Sequence, residues 1–573
     1  MSRNRVVALA LQAVVTVLPS VAAPARPVHA PKAMVATVQR DATDAGNEIM
    51  KAGGNAVDAS VAVGFALAVT HPQAGNLGGG GFLLVRFAKG DVHFLDYREK
   101  APGKATENMY LDAQGNVIPD SSLVGYKASG VPGSVAGMVY AQKKWGNLSL
   151  ARVMEPAIRL ARDGFVLSQE DARDMRDEDL AKFPESRRIF QRDGNYFQPG
   201  EVFRQPDLAK TLERIAKNPD DFYKGTMAKQ IAAAVQKGGG LITEQDLAEY
   251  NVVERAPIHG TYRGLDIYSA PPPSSGGVAL VEMLNILEPY DLAQTGNRSA
   301  ESMHLTAEAM KRAFYDRADF MGDPDFSSVP VNELIDKKYA AAWREELSPD
   351  HATPAKQLKR PKFGELDRNA SLLPFEIIEP EHTTHYSVVD PEGNAVAVTT
   401  TLNDSFGSRV TVEGLGFLLN DEMDDFAVKQ GVPNSYGLIQ GPANAVGPKK
   451  RPLSAMTPTI VLKDGKLLMV LGSPGGPTII TTVANILMGV VDYGMNIQEA
   501  VNAPRFHHQW LPDQVRIERE GISPDTVRLL EGKGHTVKKS GYWGDAECIM
   551  IDPKTGERLG ATDYRNNGKA AGF

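Results

Sequence analysis

At 573 residues the chain is long enough for two or three ordinary domains or one large layered one, and its 42% hydrophobic and 23% charged residues are usual for a globular protein. A formal net charge of -8 argues against nucleic acid as a partner, which needs a basic face. The lone cysteine, Cys548, excludes an internal disulfide and leaves little material for a thiolate metal site.

The N-terminus carries an address. Ser2-Arg3-Asn4-Arg5 is a basic start, residues 6–17 are almost wholly apolar, and small residues follow at Ser20, Ala22, Ala23 and Ala30. This layout predicts a signal peptide over residues 1–30, cleaved within 22–30, and a periplasmic or secreted protein. A membrane anchor is the alternative, but the apolar run falls short of the roughly 20 residues a spanning helix needs. No later segment predicts a membrane span. Residues 56–69 are apolar yet hold Asp58 and stop at Thr70-His71-Pro72. They predict a buried helix, capped by Asn55 and parted by Gly53-Gly54 from an earlier helix ending near Lys51.

Gly78-Gly79-Gly80-Gly81 leads into an apolar stretch at 82–87, a turn at Lys89-Gly90 and a second stretch at 92–97, the pattern of a hairpin. These glycines open no helix and no Gly-Lys-Ser/Thr follows, so a phosphate loop is excluded. Residues 133–250 are mostly helical in pattern. The run Pro271-Pro272-Pro273-Ser274-Ser275-Gly276-Gly277 breaks it, and an apolar helix resumes at 278–287. Residues 351–380 turn polar and lose periodicity, which predicts a linker. Directly after it come strands at 385–389 and 395–401 about the turn Pro391-Glu392-Gly393-Asn394, then a hairpin at 459–462 and 467–471. The chain thus divides into a helix-rich part, 31–382, and a strand-rich antiparallel part, 383–573. It could be cut at the polar junction without unravelling either side.

Common catalytic constellations are missing: there is no Gly-x-Ser-x-Gly and no His-Glu-x-x-His. His507 and His508 are adjacent, so on a helix or strand they do not share a face as two ligands should. A satisfied structural pair is the plainer account, and neither metal nor cofactor is predicted. What remains is Thr383-Thr384-His385-Tyr386-Ser387-Val388-Val389-Asp390 at the junction. A threonine at a chain start combines two roles: its Oγ is a nucleophile, and its own α-amino group, with an unperturbed pKa of about 8, is a base. Before a cut, the same Oγ can reach the carbonyl of His382 through a five-membered ring, giving an ester that water resolves. Two threonines also favour the start of a β-strand, and on the string alone that is the better account.

The wider sequence adds strings in a fixed order: Gly53-Gly54-Asn55-Ala56-Val57-Asp58-Ala59, Gly75-Asn76-Leu77-Gly78-Gly79-Gly80-Gly81-Phe82, the 271–277 run and 383–390. They continue with Leu418-Leu419-Asn420, Met423-Asp424-Asp425-Phe426, Lys450-Arg451-Pro452-Leu453-Ser454 and Gly472-Ser473-Pro474-Gly475-Gly476. Along essentially its whole exported length the chain resembles the bacterial γ-glutamyltransferases, members of the N-terminal-nucleophile hydrolases. The resemblance implies an α+β fold, a four-layer αββα sandwich of two antiparallel sheets between helical layers. It implies a precursor cut between His382 and Thr383 into a large and a small subunit that stay together as a heterodimer. Thr383 would take the γ-glutamyl group from glutathione or a similar amide and release it to water or to an amino-acid or peptide acceptor, with no cofactor.

Carried over by position, the resemblance gives Thr401 as hydrogen-bond partner of the Thr383 hydroxyl, and Asn403 as the residue that orients the new terminus and touches the substrate amine. Gly475 and Gly476 would supply oxyanion N–H groups. Arg98 would grip the α-carboxylate with Ser454, while Glu422 and Asp425 hold the α-ammonium. Residues 429–441, with Tyr436 near the middle, resemble the family's mobile lid; an ordinary surface loop is the alternative. The charges also make sense chemically, since a γ-glutamyl group carries a carboxylate and an ammonium on one carbon and so needs a cation beside an anion pair. Surface ion pairs are the plain alternative. The chain departs from the family in two places: glutamate stands at 422 where bacterial relatives often have glutamine, and Ala455 replaces a second serine, removing one donor to the carboxylate. A glutaryl-type cephalosporin acylase of the same fold is the first rival, opposed by Asp425, Glu422 and Asn403. A non-catalytic exported binding protein is the second, opposed by the intact nucleophile and oxyanion glycines.

Overall fold

Two seven-stranded sheets form the centre of the molecule. The computed structural model describes residues 25–364, 366 and 383–573. In chain order the strands before Thr383 are β1 (Val28–Ala30), β2 (Met34–Thr37), β3 (Gly80–Arg86), β4 (Val92–Asp96), β5 (Val253–Arg255), β6 (Ile258–Tyr262) and β7 (Leu265–Ser269). After it come β8 (Thr384–Val389), β9 (Ala395–Thr401), β10 (Thr459–Lys463), β11 (Lys466–Leu471), β12 (Cys548–Ile551), β13 (Arg558–Ala561) and β14 (Lys569–Gly572). One sheet runs β14-β2-β8-β9-β3-β4-β5 and the other β1-β13-β12-β11-β10-β7-β6, with neighbours antiparallel throughout.

Alternation along these strands explains the layers, because successive side chains leave a strand on opposite faces. Phe82 and Leu84 of β3, Ala395 and Ala397 of β9, and Ile460 and Leu462 of β10 meet in one core between the sheets. Leu83, Val85, Val396 and Val398 face the other way, into a core shared with α1 (Arg40–Lys51) and α2 (Ala56–Thr70). Beyond the second sheet, Val461, Met469 and Leu471 pack with α3 (Gly276–Leu287), α4 (Ala300–Phe320) and α5 (Thr478–Val491). This is the four-layer αββα sandwich expected from the sequence. The helix α2 is buried along its whole length, as its all-round apolar sequence requires. Asn55 accepts from the N–H groups of Val57 and Asp58 while Asp58 accepts from that of Asn55, a reciprocal cap.

Three expectations need correction or narrowing. The part before Thr383 is helix-rich as expected but not merely helical: it gives seven strands of the two central sheets, β1–β7, the other seven come from after Thr383, and the two sets interleave in both sheets. Several of these strands have only three to five residues, too short for alternation to stand out from the helical pattern around them. The polar stretch from 351 is docked over its first half: Ala355, Leu358 and Leu366 are buried, and Arg360 pairs with Asp316 and Asp319 at 2.5 and 2.6 Å. Its remainder, including His382, lies outside the described residues, as do residues 1–24 of the expected signal peptide. Val28–Ala30, within the interval expected for signal cleavage, form β1 against β13. Among the described residues no helix is long and apolar enough to cross a membrane.

Candidate active site

The register of β8 on β9 pairs Thr384 with Thr400, which sets Thr383, the residue before β8, opposite Thr401, the last of β9. Their hydroxyl oxygens stand 3.3 Å apart, and Thr383 is 8% exposed. Thr401 Oγ1 also accepts the Asn403 N–H at 2.9 Å. Asn403 has φ +84°, a left-handed conformation that costs a residue with a side chain about 1–2 kcal/mol. Bonds on both its ends hold it there. Its carbonyl accepts the Tyr436 hydroxyl at 3.0 Å, and its Nδ2 donates to the Asp421 carbonyl at 3.2 Å. His385, two residues from Thr383, is no candidate base. Its ring bonds Thr399 Oγ1 at 2.9 Å and Ser387 Oγ at 3.1 Å, and burial holds its pKa down to about 3.

Gly475 and Gly476 lie between β11 and α5, in the last residues before the helix starts. Their φ values of +130° and +53° are ones that side chains rarely adopt. Space is also short: a Cβ on Gly476 would stand 2.6 Å from Tyr436 Cδ1, and one on Gly475 2.4 Å from Thr478 Oγ1. Their carbonyls accept the first N–H groups of α5, Gly475 from Thr478 at 3.0 Å and Gly476 from Ile479 at 3.2 Å. Among the described residues neither glycine gives its own N–H to a backbone carbonyl. Two donors and the positive end of a helix thus lie beside Thr383, an arrangement that suits a developing oxyanion.

The charged residues form the opposite wall. Arg98 is fully buried, and its guanidinium bonds both Glu422 and Asp425. It donates as well to the carbonyls of Pro452 at 3.2 Å and Leu453 at 3.3 Å. Burial alone would lower the Arg98 pKa, but Glu422, Asp425 and Glu99 together raise it. Burial pushes the Glu422 carboxyl well above the usual range, opposed by Arg98. The sequence placed these three as opposite clamps on a substrate; with the site closed they are partners of one another. Ser454 Oγ accepts the Met456 N–H at 3.1 Å.

Thr383, Thr401, Asn403, Arg98, Glu422, Asp425, Tyr436, Ser454 and Gly476 line one recess, and Ala455 lies in its wall. Gly475 lines the neighbouring cavity, whose wall also includes Thr383. The 429–441 segment contains no helix or strand. It is not an exposed surface loop, because Tyr436, Leu438 and Ile439 are buried and Gln509 Nε2 donates to the carbonyls of Tyr436 and Gly437 at 3.2 and 3.3 Å.

Sequence reasoning missed two residues here. Arg317, from α4, reaches the recess with its Nε on Ser275 Oγ at 2.9 Å and Nη1 without an acceptor. Burial lowers its pKa to about 10. Nothing in the helical pattern of α4 marks it. Glu99, next to Arg98, is buried with neither oxygen hydrogen-bonded, and burial raises its pKa to about 7. The adjacent histidines look to different partners: His507 to Thr481 Oγ1 and Gln509 Oε1, both at 2.9 Å, and His508 to Asp513 Oδ1 at 3.3 Å. Among the described residues no group of three or more His, Cys, Asp or Glu is placed to hold a metal ion.

With this geometry in view, the family model described as Gamma-glutamyltranspeptidase matches residues 42–573. The chain belongs to the gamma-glutamyltranspeptidase family. It is 52% identical over 544 residues to the glutathione hydrolase proenzyme of Escherichia coli (strain K12), spanning 94% of this chain and 91% of that protein. It is 49% identical over 566 residues to the glutathione hydrolase proenzyme of Pseudomonas sp. (strain A14), spanning 96% of each. Among solved structures, the cephalosporin acylase from Bacillus halodurans matches with a TM-score of 0.82 over 97% of this chain and 99% of that one, at 29% identity. The fold is therefore common to gamma-glutamyltranspeptidases and acylases.

Proposed function

We propose that this member of the gamma-glutamyltranspeptidase family is exported, cuts itself between His382 and Thr383, and then acts as a γ-glutamyl transferase and glutathione hydrolase. One observation carries the proposal. The Thr383–Thr401 hydroxyl pair lies in the same recess as Arg98, Glu422 and Asp425, which supports a nucleophile facing a wall suited to an α-amino acid.

In the cut protein the Thr383 α-amino group takes the proton of its own Oγ as that oxygen attacks the γ-carbonyl. The N–H groups of Gly475 and Gly476 stabilise the oxyanion, worth about 3 kcal/mol per donor in comparable sites. Collapse expels the amine, which leaves with the proton held by the α-amino group. The γ-glutamyl ester on Thr383 then passes to water or to an amino-acid or peptide acceptor. Substrate binding is an exchange of partners. The α-ammonium replaces the Arg98 guanidinium against Asp425 and Glu422, with Asn403 beside it, and the α-carboxylate takes the place of those carboxylates on Arg98. Ser454 Oγ, accepting from Met456, has its proton to give to that carboxylate. Arg98, Glu422 and Asp425 each keep a partner in either state, which matters because an uncompensated buried charge costs several kcal/mol. Tyr436 closes the recess through its bond to Asn403.

The large and small subunits remain a heterodimer. Export places it in the periplasm or medium, and signal cleavage before β1 keeps the Val28–Ala30 strand. A glutaryl-type acylase is the competing assignment on the same fold, and the anionic wall opposes it: a glutaryl chain brings no ammonium for Asp425 and Glu422. The test is turnover of matched γ-glutamyl and glutaryl anilides with and without a dipeptide acceptor. The γ-glutamyl compound should be strongly preferred; preference for the glutaryl compound would make the protein an acylase.

A further inference from the structure

Arg317 lines the recess with Arg98, Ser454 and Ala455, yet the exchange of partners described above gives it no part. It comes from α4 and is only 2% exposed. One end of its guanidinium is fixed. Nε donates to Ser275 Oγ at 2.9 Å, and that hydroxyl donates in turn to the Ser454 carbonyl at 2.7 Å. The Ser275 N–H gives the same carbonyl a second bond at 2.9 Å. The guanidinium thus stands one hydroxyl away from the Ser454 backbone. Its other end is not fixed: Nη1 is buried and has no acceptor.

The charge of Arg317 lacks a carboxylate of its own. Its helix neighbours Asp316 and Asp319 are held by Arg360 at 2.5 and 2.6 Å. Asp425 is near enough to oppose the burial that lowers the Arg317 pKa, but Asp425 is already bonded to Arg98. At about 10 that pKa still leaves the guanidinium charged at neutral pH. The wall beside it offers no acceptor either, since Ala455 ends in a methyl group and Leu438 and Ile479 are apolar. A buried charge is costly unless it is paired and hydrogen-bonded, and a buried charged donor without an acceptor calls for a reason. An anion carried in by the substrate would supply both the charge and the acceptor.

We infer that Arg317 is a second cation of the recess and binds the α-carboxylate of the acyl group together with Arg98, which makes it a determinant of the preference for an α-amino acid over a simple amine. The inference rests on the γ-glutamyl reading above. With substrate in place, Asp425 and Glu422 take the α-ammonium and Arg98 turns to the carboxylate. Nη1 of Arg317 meets the same carboxylate from the Ser454 side. A guanidinium suits the task because its planar fork of N–H groups matches a carboxylate and stays charged when buried.

The test uses the mature enzyme and two donors, a γ-glutamyl anilide and the matching 4-aminobutyryl anilide, which keeps the ammonium and lacks the carboxylate. Arg317→Gln should lower kcat/KM for the γ-glutamyl compound about tenfold, mostly through KM, the scale of one charge-assisted hydrogen bond. The 4-aminobutyryl compound should be nearly unaffected, so the gap between the two narrows. A gap unmoved in Arg317→Gln overturns the inference. Ser275→Ala separates contact from support, since it cuts the tie to Ser454 and keeps the guanidinium. It should narrow the gap less than Arg317→Gln does; an equal narrowing makes Arg317 a prop for Ser454 and overturns the contact. Should Arg317→Gln fail to mature, Arg317→Lys decides, because it keeps the charge and loses the fork. The gap should then narrow about threefold, and an unmoved gap again overturns the inference. A native protein that does not prefer the γ-glutamyl compound overturns the reading of the recess itself.

Discussion

Thr383 has few neighbours that could compete for its role. His385, two residues along the chain, is held by its own hydrogen bonds and kept neutral by burial, which leaves it unsuited to the part of base proposed above for the Thr383 α-amino group. Thr383→Ala should accordingly run as one full-length band on a denaturing gel and show no anilide turnover, while the native protein gives two bands, the smaller beginning at Thr383. Arg98→Lys keeps the charge but loses the fork, and loss of one charge-assisted bond should raise KM about tenfold with a smaller effect on kcat. Asp425→Asn tests specificity. It removes an anion with little change of shape, so γ-glutamyl kcat/KM should fall steeply and the gap to the glutaryl anilide, expected to be about 10⁴-fold in the native enzyme, should narrow. An unmoved ratio would place the ammonium elsewhere. The residues of this wall were reached in the sequence through the family resemblance, and the chemistry of an α-amino acid, which calls for a cation beside anions, agreed with them. What was not legible is that Arg98 already pairs with Glu422 and Asp425, since mutual pairing depends on how two segments far apart in sequence meet. Arg317 was hidden for a related reason: its signal is the face of a helix, and α4 is buried on nearly every face.

At the scale of elements, two junctions fix the site. The β8–β9 register sets Thr383 against Thr401, and the loop into α5 sets Gly475 and Gly476, the glycines proposed for the oxyanion. Gly476→Ala would force a side chain into a left-handed residue and against the Tyr436 ring. It should lower kcat about 10²-fold, as loss of an oxyanion donor does elsewhere. A normal kcat would show that the donors lie elsewhere. The cap on α2 belongs to stability alone: Asn55→Ala should cost about 1 kcal/mol, seen as a lower Tm with anilide kinetics intact. The cap, the hairpin at β8–β9 and the buried helix were readable because each has a local signature. Strands such as β5, with three residues, have none, and their pairing is dictated by the sheet they join.

The whole molecule joins residues far apart in sequence through groups that dislike protons. His304 Nδ1 meets His535 Nε2 at 2.8 Å, and His304 Nε2 donates to the Ser348 carbonyl at 2.8 Å. Burial lowers both pKa values, His535 to about 3, with Lys311 adding to the effect on each. The unfolded chain takes up these protons near the ordinary value of 6.5 and the folded one does not. The stability is therefore complete above about pH 6.5 and falls as pH drops toward 3. Tm should decline between pH 7 and 4.5, with a shallower slope in His535→Gln; an unchanged slope would locate the acid sensitivity in other groups.

Strands from before and after Thr383 are mixed within both sheets, with β2 sitting between β14 and β8, and β13, β12, β11 and β10 between β1 and β7. An intact precursor assembles this weave as one chain, and its rate of assembly is independent of how much protein is present. Once the peptide bond before Thr383 is gone, neither piece owns a complete sheet, and reassembly becomes an encounter between two molecules, each exposing sheet edges that pair readily with the wrong neighbour. The proposed cut before Thr383 thus makes repair of a denatured molecule depend on how much protein is present. The mature enzyme must endure on the slowness of its unfolding alone, and refolding yield after denaturation should depend on concentration for the cut form but not for Thr383→Ala.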